Sequence, residues 1–325
     1  MSEGQNTSEP GSSGEPAVWE RETLNKVLFA SLKEQRSTRR WGVFFKLLFF
    51  GYLFALLLLY LPGHLTGGSM SLSKHTALVE VGGVIADNSN ASADHIITGL
   101  RAAFKDKNTQ GVILRINSPG GSPVQAGYIN DEIVRLREQY PNVPLYAVIT
   151  DICASGGYYV AAAADKIYAD KASIVGSIGV LMDGFGFVGT MEKLGVERRL
   201  LTAGEHKGFL DPFSPAREED IAHVQGMLKD IHQQFIATVQ KGRGARLKES
   251  DELYSGLMWT GEQSLEMGLV DALGSSSYVA REVIGAETIV DFTPRGNYLD
   301  RLAERIGMAL GEVLLSGTTA WGGLK

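Results

Sequence analysis

Cysteine is almost missing from this chain: Cys153 is the single one in 325 residues. One thiol excludes an intramolecular disulfide and cannot furnish a thiolate zinc cluster. A basic surplus is missing as well. Thirty-one Lys and Arg stand against 37 Asp and Glu, giving a net charge of −6, so the composition has no electrostatic footprint for nucleic acid and no such partner is expected. The histidines offer no metal site by spacing, since His223 and His232 have no carboxylate motif with them. With 44% apolar residues the rest is an ordinary globular composition that carries something extra, and the length allows two domains.

The extra part is at the amino terminus. Met1–Trp19 has almost no large apolar residues and is rich in Ser, Gly, Glu and Pro, which predicts a disordered tail. Leu24, Val27, Leu28 and Leu32 then fall at helical spacing, predicting a short amphipathic helix, so that residues 1–40 form one polar segment. Trp41–Leu61 is a nearly continuous apolar run with Lys46 as its only charge, long enough for one helical crossing of a ~30 Å bilayer core. Lys33, Arg36, Arg39 and Arg40 precede it, whereas Pro62–Ser73 carries no Lys, Arg, Asp or Glu. By the positive-inside rule the amino terminus is cytoplasmic and everything after Leu61 is translocated. The run is too long, and the segment before it too extended, for a cleavable signal peptide; an uncleaved signal anchor in a bacterial inner membrane is expected. Residues 62–75 read as a linker, 76–292 as the globular domain and 293–325 as a tail. In that tail Leu302, Ile306, Leu310, Val313 and Leu314 lie near one helical face, suited to a membrane, a neighbouring copy or plain packing.

From Thr76 strand and helix patterns alternate: strands at Ala77–Val81, Gly111–Ile116 and Pro144–Thr150, helices at Ala93–Phe104, Val124–Glu138 and Tyr158–Ala164. Such alternation predicts an α/β domain of parallel strands with crossover helices. A long helix follows over Pro215–Lys241, capped by Ser214 with Pro215 at its first position and ended by Gly242 and Gly244. Trp259–Asp271 reads as a capped helix and a turn.

The stretch Ile152-Cys-Ala-Ser-Gly-Gly-Tyr-Tyr159 places a small nucleophile, Ser155, where a strand hands over to a helix, with two glycines that let a substrate approach the main-chain amides. Taken alone it also fits an N-cap serine beside a packing contact, and a partner must decide. Cys153 is a competing thiol nucleophile but reads as a small buried apolar residue. One candidate partner is Lys207, in a loop dense in Gly and Pro, where Phe209, Leu210 and Phe213 would lower its pKa by desolvation. Another is His206, with Asp211 or Glu205 as the orienting carboxylate of a triad. Upstream, Asn117-Ser-Pro-Gly-Gly121 ends a strand and opens a helix, so its amides can face a developing oxyanion. Gly184-Phe-Gly-Phe-Val-Gly189 matches the dinucleotide fingerprint by letter, yet it lies well inside the domain and reads as a loop that shapes an oligomer or a cleft.

Asn117-Ser-Pro-Gly-Gly121, Ala154-Ser-Gly-Gly-Tyr-Tyr159, Val175-Gly-Ser-Ile-Gly-Val180 and Gly204-Glu-His-Lys207, in this order, resemble the signal peptide peptidase A family of serine peptidases over roughly Ala77–Leu273. The resemblance implies a spiral of strand-strand-helix units similar to the crotonase and Clp protease superfamily. It implies Ser155 as nucleophile, Lys207 as general base, Gly121 and Gly156 as oxyanion donors and Ser177 as the hydroxyl that orients the lysine. No metal or organic cofactor is implied. The implied substrates are peptides, chiefly signal peptides left in the bilayer. Only one Ser-Gly-Gly-Tyr-Tyr is present, which matches the family's short form, a homo-oligomer whose dyad is shared between adjacent protomers. Two readings compete: a crotonase-like acyl-CoA enzyme, and an inactive membrane-anchored scaffold.

Overall fold

The computed structural model describes residues 39–54, 73–248 and 250–294. Residues 39–54 form helix α1, whose Phe, Leu and Tyr side chains are exposed. Among the described residues no helix is long and apolar enough to cross a membrane. Residues 55–61 of the expected span, and the tail from 295 onward, lie outside the described residues.

In the domain that follows, three long apolar strands alternate with two amphipathic helices, because the hydrophobic period switches between 2 and 3.6. They are β1 (His75–Gly82), α2 (Ala93–Lys105), β2 (Thr109–Ser118), α3 (Pro123–Gln139) and β3 (Leu145–Ala154). All three strands are parallel, with Leu78 opposite Ile113 and Leu114 opposite Ala147. Ile96, Leu100 and Phe104 of α2 and Ile129, Ile133 and Leu136 of α3 close over one face of the sheet. Each fully buried side chain of this size contributes about 1.5–3 kcal/mol. Ser122 caps α3, accepting from the Gln125 N–H, and Pro123 opens it.

β3 is where the sheet branches. Its first half pairs with β4 (Lys166–Ala169) and its last residues with β5 (Ile174–Gly176), both parallel. β6 (Met258–Thr260) adds antiparallel to β5, β7 (Ala272–Leu273) pairs with β4, and β8 (Ile289–Asp291) closes the far edge beside β1. The eight strands make one mostly parallel sheet, so the alternating pattern gave the fold class correctly.

Four boundaries differ from expectation. β3 runs four residues past Thr150, directly into Ser155, and α4 occupies Gly156–Ala161 rather than reaching Ala164. After the short helix α5 (Val188–Leu194), the long helix α6 spans Glu218–Arg243 with Arg217 at its N-cap, not Ser214. The Ser214 hydroxyl donates instead to Asp211 Oδ2 at 2.7 Å, while Arg217 reaches forward to Asp220 and the helix starts three residues later. Trp259 belongs to β6; the capped helix is α7 (Gly261–Glu266), held by a reciprocal Thr260–Gln263 capping box.

The carboxyl end of α6 is pinned by charge as well as by the buried Val239. The fully buried Arg243 donates to Asp271 Oδ2 at 2.7 Å and twice to the Gly268 carbonyl, and Asp271 also accepts from the Ile167 N–H. Burial pushes the Asp271 pKa up, but these bonds overcome it and hold the group below its ordinary value.

Candidate active site

Ser155 stands between β3 and α4 with φ 51° and ψ −122°, a conformation rare for a residue with a side chain. Such a sharp strand-to-helix turn lifts the residue's side chain out of the sheet end. Neighbouring backbone holds it there: the Ser155 N–H donates to the Gly176 carbonyl at 2.9 Å, and the Ser155 carbonyl accepts from the Tyr159 N–H at 3.0 Å. The side chain makes no capping bond, so the capping reading of this serine fails on geometry and the hydroxyl is free to face the cavity.

The Gly120–Gly121 turn packs directly onto this junction. A Cβ on Gly120 would stand 2.7 Å from both the Gly156 nitrogen and the Ser155 Cβ, and the Gly121 nitrogen lies 3.3 Å from where a Gly156 Cβ would project. Gly121 adopts φ 148° and bridges Ile85, whose carbonyl sits 2.1 Å from the position of a Gly121 Cβ. Only glycine meets both demands. The Ile85 bridge uses the Gly120 carbonyl and the Ser122 N–H. Among the described residues the Gly121 and Gly156 N–H groups donate to no protein acceptor, as an anion-holding pair requires.

Ser177 is also at positive φ, 53°, anchored by its N–H to the Leu257 carbonyl at 2.7 Å, and it lines the same cavity as Ser155. That cavity has a volume of about 490 Å³. Pro119, Pro123, Tyr159, Val180, Leu181, Ile231 and Phe235 give it largely apolar walls. Tyr159 is fixed by the Asn130 amide on its carbonyl, by Thr238 on its hydroxyl and by the Phe235 ring 5.2 Å away. Ile231, Gln234 and Phe235 come from one face of α6, and Ser255–Gly256 from the loop after it. These wall residues were missed from the sequence. The 3.6-residue period of α6 marks an apolar face, but nothing in it says which cavity that face meets.

Among the described residues the walls include no lysine, histidine or carboxylate. Lys207 lies elsewhere in this single chain, exposed in a turn where its N–H donates to the Gly204 carbonyl at 3.1 Å. Phe209, Leu210 and Phe213, expected to desolvate it, are themselves exposed, with Phe213 stacked on Phe187. Sequence reasoning therefore named residues that the chain alone brings together (Ser155, Gly156, Gly121, Ser177) and one that it does not.

His206 is not part of a serine triad in this arrangement. Its Nδ1 faces Asp220 Oδ1 at 3.3 Å and an Arg217 nitrogen at 3.1 Å, while the nominated Asp211 takes bonds from Ser214 and Arg198. Burial works against the Asp220 charge, yet Arg217 and His206 hold its pKa below the ordinary range. His206, Glu219 and Asp220 converge closely enough to grip a cation, but Arg217 pairs with both carboxylates at 2.8–2.9 Å and supplies the positive charge itself. Cys153 is completely buried, and burial pushes its thiol pKa up, which removes it as a nucleophile. Gly184, Gly186 and Gly189 have open space around them and none is at positive φ, so this loop has neither the tight turn nor the close approach of a nucleotide fingerprint.

Residues 137–287 match the model of peptidase family S49. A protein of Methanocaldococcus jannaschii that carries the provisional name protease MJ0651 is 31% identical over 232 residues, covering 68% of this chain and 74% of that protein. Protease 4 of Haemophilus influenzae is 34% identical over 203 residues, 61% of this chain and 32% of its own length. A Brucella abortus protein named Na(+)/H(+) antiporter NhaA is 41% identical over 215 residues, 66% of this chain but only 29% of that protein. The chain thus spans less than a third of the Brucella and Haemophilus relatives and about three quarters of the archaeal one. With a strained strand-to-helix turn at Ser155 apposed to a free-amide turn, and 31% identity across three quarters of a relative bearing a protease name, the chain belongs to peptidase family S49.

Proposed function

We propose that this protein is a membrane-anchored serine endopeptidase that works with a Ser155/Lys207 dyad on peptides at the bilayer, chiefly signal peptides left after preprotein cleavage. The observation that carries the reading is the packing of Gly120–Gly121 against a Ser155 held at positive φ, with the Gly121 and Gly156 amides free beside it. In the reaction Ser155 Oγ attacks the scissile carbonyl and its proton passes to a neutral Lys207 amine. The two amides receive the charge that develops on the carbonyl oxygen, a term worth about a hundred- to a thousandfold in rate per donor. The lysine returns the proton to the leaving amine, and water then resolves the acyl-enzyme. Ser177, beside Ser155 on the same cavity wall, orients the lysine.

Among the described residues no base lines the Ser155 cavity, and Lys207 is exposed. Both facts favour a homo-oligomer in which the Lys207 loop of one copy serves the Ser155 of the next. The branching of the sheet at β3 favours the crotonase- and Clp-like spiral. The apolar run 41–61, the basic residues before it and the absence of charge in 62–73 favour a single-pass anchor with the domain on the periplasmic side.

The test is fluorophosphonate labelling of the detergent-solubilised full chain, with the modified residue mapped by mass spectrometry. Label should fall on Ser155 and vanish in Ser155→Ala and Lys207→Ala. Coassembling the two inactive variants in equal amounts should restore labelling at about a quarter of the sites, because one copy supplies the serine and its neighbour the lysine. Labelling that persists in Lys207→Ala refutes the dyad. No label on the intact wild-type assembly would favour the scaffold or acyl-CoA reading instead.

A further inference from the structure

The parallel ladder between β2 and β3 is in one-to-one register from Val112/Leu145 to Ile116/Ile149, and then it slips. The next pair is Ser118/Cys153, so β2 advances by one intervening residue, Asn117, while β3 advances by three, Thr150 to Ile152. In the slipped stretch the Asn117 side chain bridges the two strands: Oδ1 accepts from the Ile152 N–H at 3.3 Å, and Nδ2 donates to Asp151 Oδ2 at 2.8 Å. The Asn117 main chain is fixed from the other side, its carbonyl accepting from the Gly83 N–H at 2.9 Å. Immediately downstream the buried Ser118 hydroxyl accepts from the Gly120 N–H at 3.1 Å, which sets the turn that lies against Ser155 and Gly156.

We infer that Asn117 is a positioning residue for the reaction: its side-chain amide locks the β2–β3 slip that brings the Gly120–Gly121 turn onto the nucleophile. The inference rests on the reading of Ser155 as nucleophile with Gly121 and Gly156 as its oxyanion donors. Asn117 and Asp151 do not line the Ser155 cavity, so the pair acts through the turn and not through substrate. A parallel strand with two extra residues has several registers of similar length, and a one-residue slip turns every following side chain to the other face. A side-chain amide has the donor and acceptor, at the right separation, to fill the gap with one bond to each bulged residue that needs it.

The experiment compares wild type, Asn117→Ala, Asn117→Asp and the exchanged pair Asn117→Asp with Asp151→Asn, all as full chain in detergent. Rates of fluorophosphonate labelling at Ser155, kcat and KM on an apolar reporter peptide, and thermal midpoints are read together. Asn117→Ala should lower the labelling rate and kcat by about 10- to 100-fold with KM within about twofold, since a donor displaced by a fraction of an ångström still allows the peptide to bind. Asn117→Asp alone should fall as far, because it loses the donor and faces the Asp151 carboxylate; the exchanged pair restores one donor and two acceptors and should recover most of the rate. Wild-type kcat in Asn117→Ala, a loss confined to KM, or an exchanged pair no better than Asn117→Asp alone would overturn the inference. Failure of wild type itself to label would instead overturn the proposed function, so the two failures are distinct. If Asn117→Ala does not fold, the comparison of Asn117→Asp with the exchanged pair still decides.

Discussion

Gly120→Ala is the sharpest perturbation of the contact on which the site depends. The added methyl would stand 2.7 Å from the Gly156 nitrogen, 2.7 Å from the Ser155 Cβ and 2.8 Å from the Ala154 carbonyl oxygen. None of these atoms is the free end of a side chain, so no rotamer change relieves the overlap and the two turns must separate. Gly120 also sits at φ 101°, where a Cβ costs about 1–3 kcal/mol on its own. Overpacking against backbone adds about 1–3 kcal/mol. The expected loss is therefore about 2–6 kcal/mol from a total stability of about 5–15 kcal/mol, so the variant folds in part or in full at low temperature. In the folded fraction the Gly121 amide has moved from its place beside Gly156, and acylation should slow by about a hundred- to a thousandfold. Denaturant midpoint and fluorophosphonate labelling rate would be measured together, with Gly127→Ala as control. Gly127 lies within α3 with nothing near its Cβ position, and alanine there should stabilise by about 0.5–1 kcal/mol with labelling unchanged. A Gly120→Ala protein that melts and labels as wild type would show that the two turns do not touch as described.

Two further outcomes concern stability. Asp271→Ala removes the carboxylate that neutralises the fully buried Arg243, and a buried charge stripped of its partner costs about 3–5 kcal/mol, to be read as a lower urea midpoint; a smaller effect for Asp271→Asn is expected because its amide oxygen still accepts. Glu132, buried on α3, is held at a pKa of about 2 chiefly by the Arg135 hydrogen bond and also by Arg101, so it contributes stability that is complete above its ordinary value near 4.5 and is lost as pH falls toward 2. Glu132→Gln should flatten the acid limb of a stability–pH profile in that window; an unchanged limb would rule out Glu132 as its source.

How much was readable before the fold was known depends on whether the signal is local. Strands β1 and β2 and helices α2 and α3 fall within two residues of expectation, because hydrophobic period, a Ser-Pro helix start and polar turns all agree there. The place of Ser155 at a strand-to-helix junction was legible from its glycine-rich motif, while Gly121, Gly156 and Ser177 were singled out through the family resemblance. The walls of the cavity were not, since Ile231 and Phe235 lie more than 70 residues from Ser155 and look like any apolar helix face. The start of α6 was misplaced because two rules competed. Ser214-Pro215 is a good helix start by composition, but the Ser214 hydroxyl is committed to Asp211 and the Arg217–Asp220 pair sets the first turn. The Asn117 brace was hidden for another reason. A slip in strand register has no sequence signature, and an Asn in a Pro-Gly turn passes for turn chemistry.

The backbone supplies one more argument about Lys207. Among the described residues three without glycine's freedom adopt positive φ: Ser155, Ser177 and Leu210. The first two are a single hydrogen bond apart, since the Ser155 N–H donates to the carbonyl of Gly176, the neighbour of Ser177. Glycine would relax either position but would remove a hydroxyl, so the strain of about 1–3 kcal/mol is retained where the side chain is required. Leu210 does not fit that explanation within one chain: the residue is 38% exposed and it lies three residues after an exposed Lys207. Strain at a surface leucine is unprofitable unless the turn must keep its shape for a surface it meets. Under the proposed function that surface is the Ser155 cavity of a second copy. The two halves of the site are then each pre-formed by strained backbone, in segments that one chain holds apart, and the apolar walls that meet Lys207 are those of the neighbour rather than the exposed rings of its own loop.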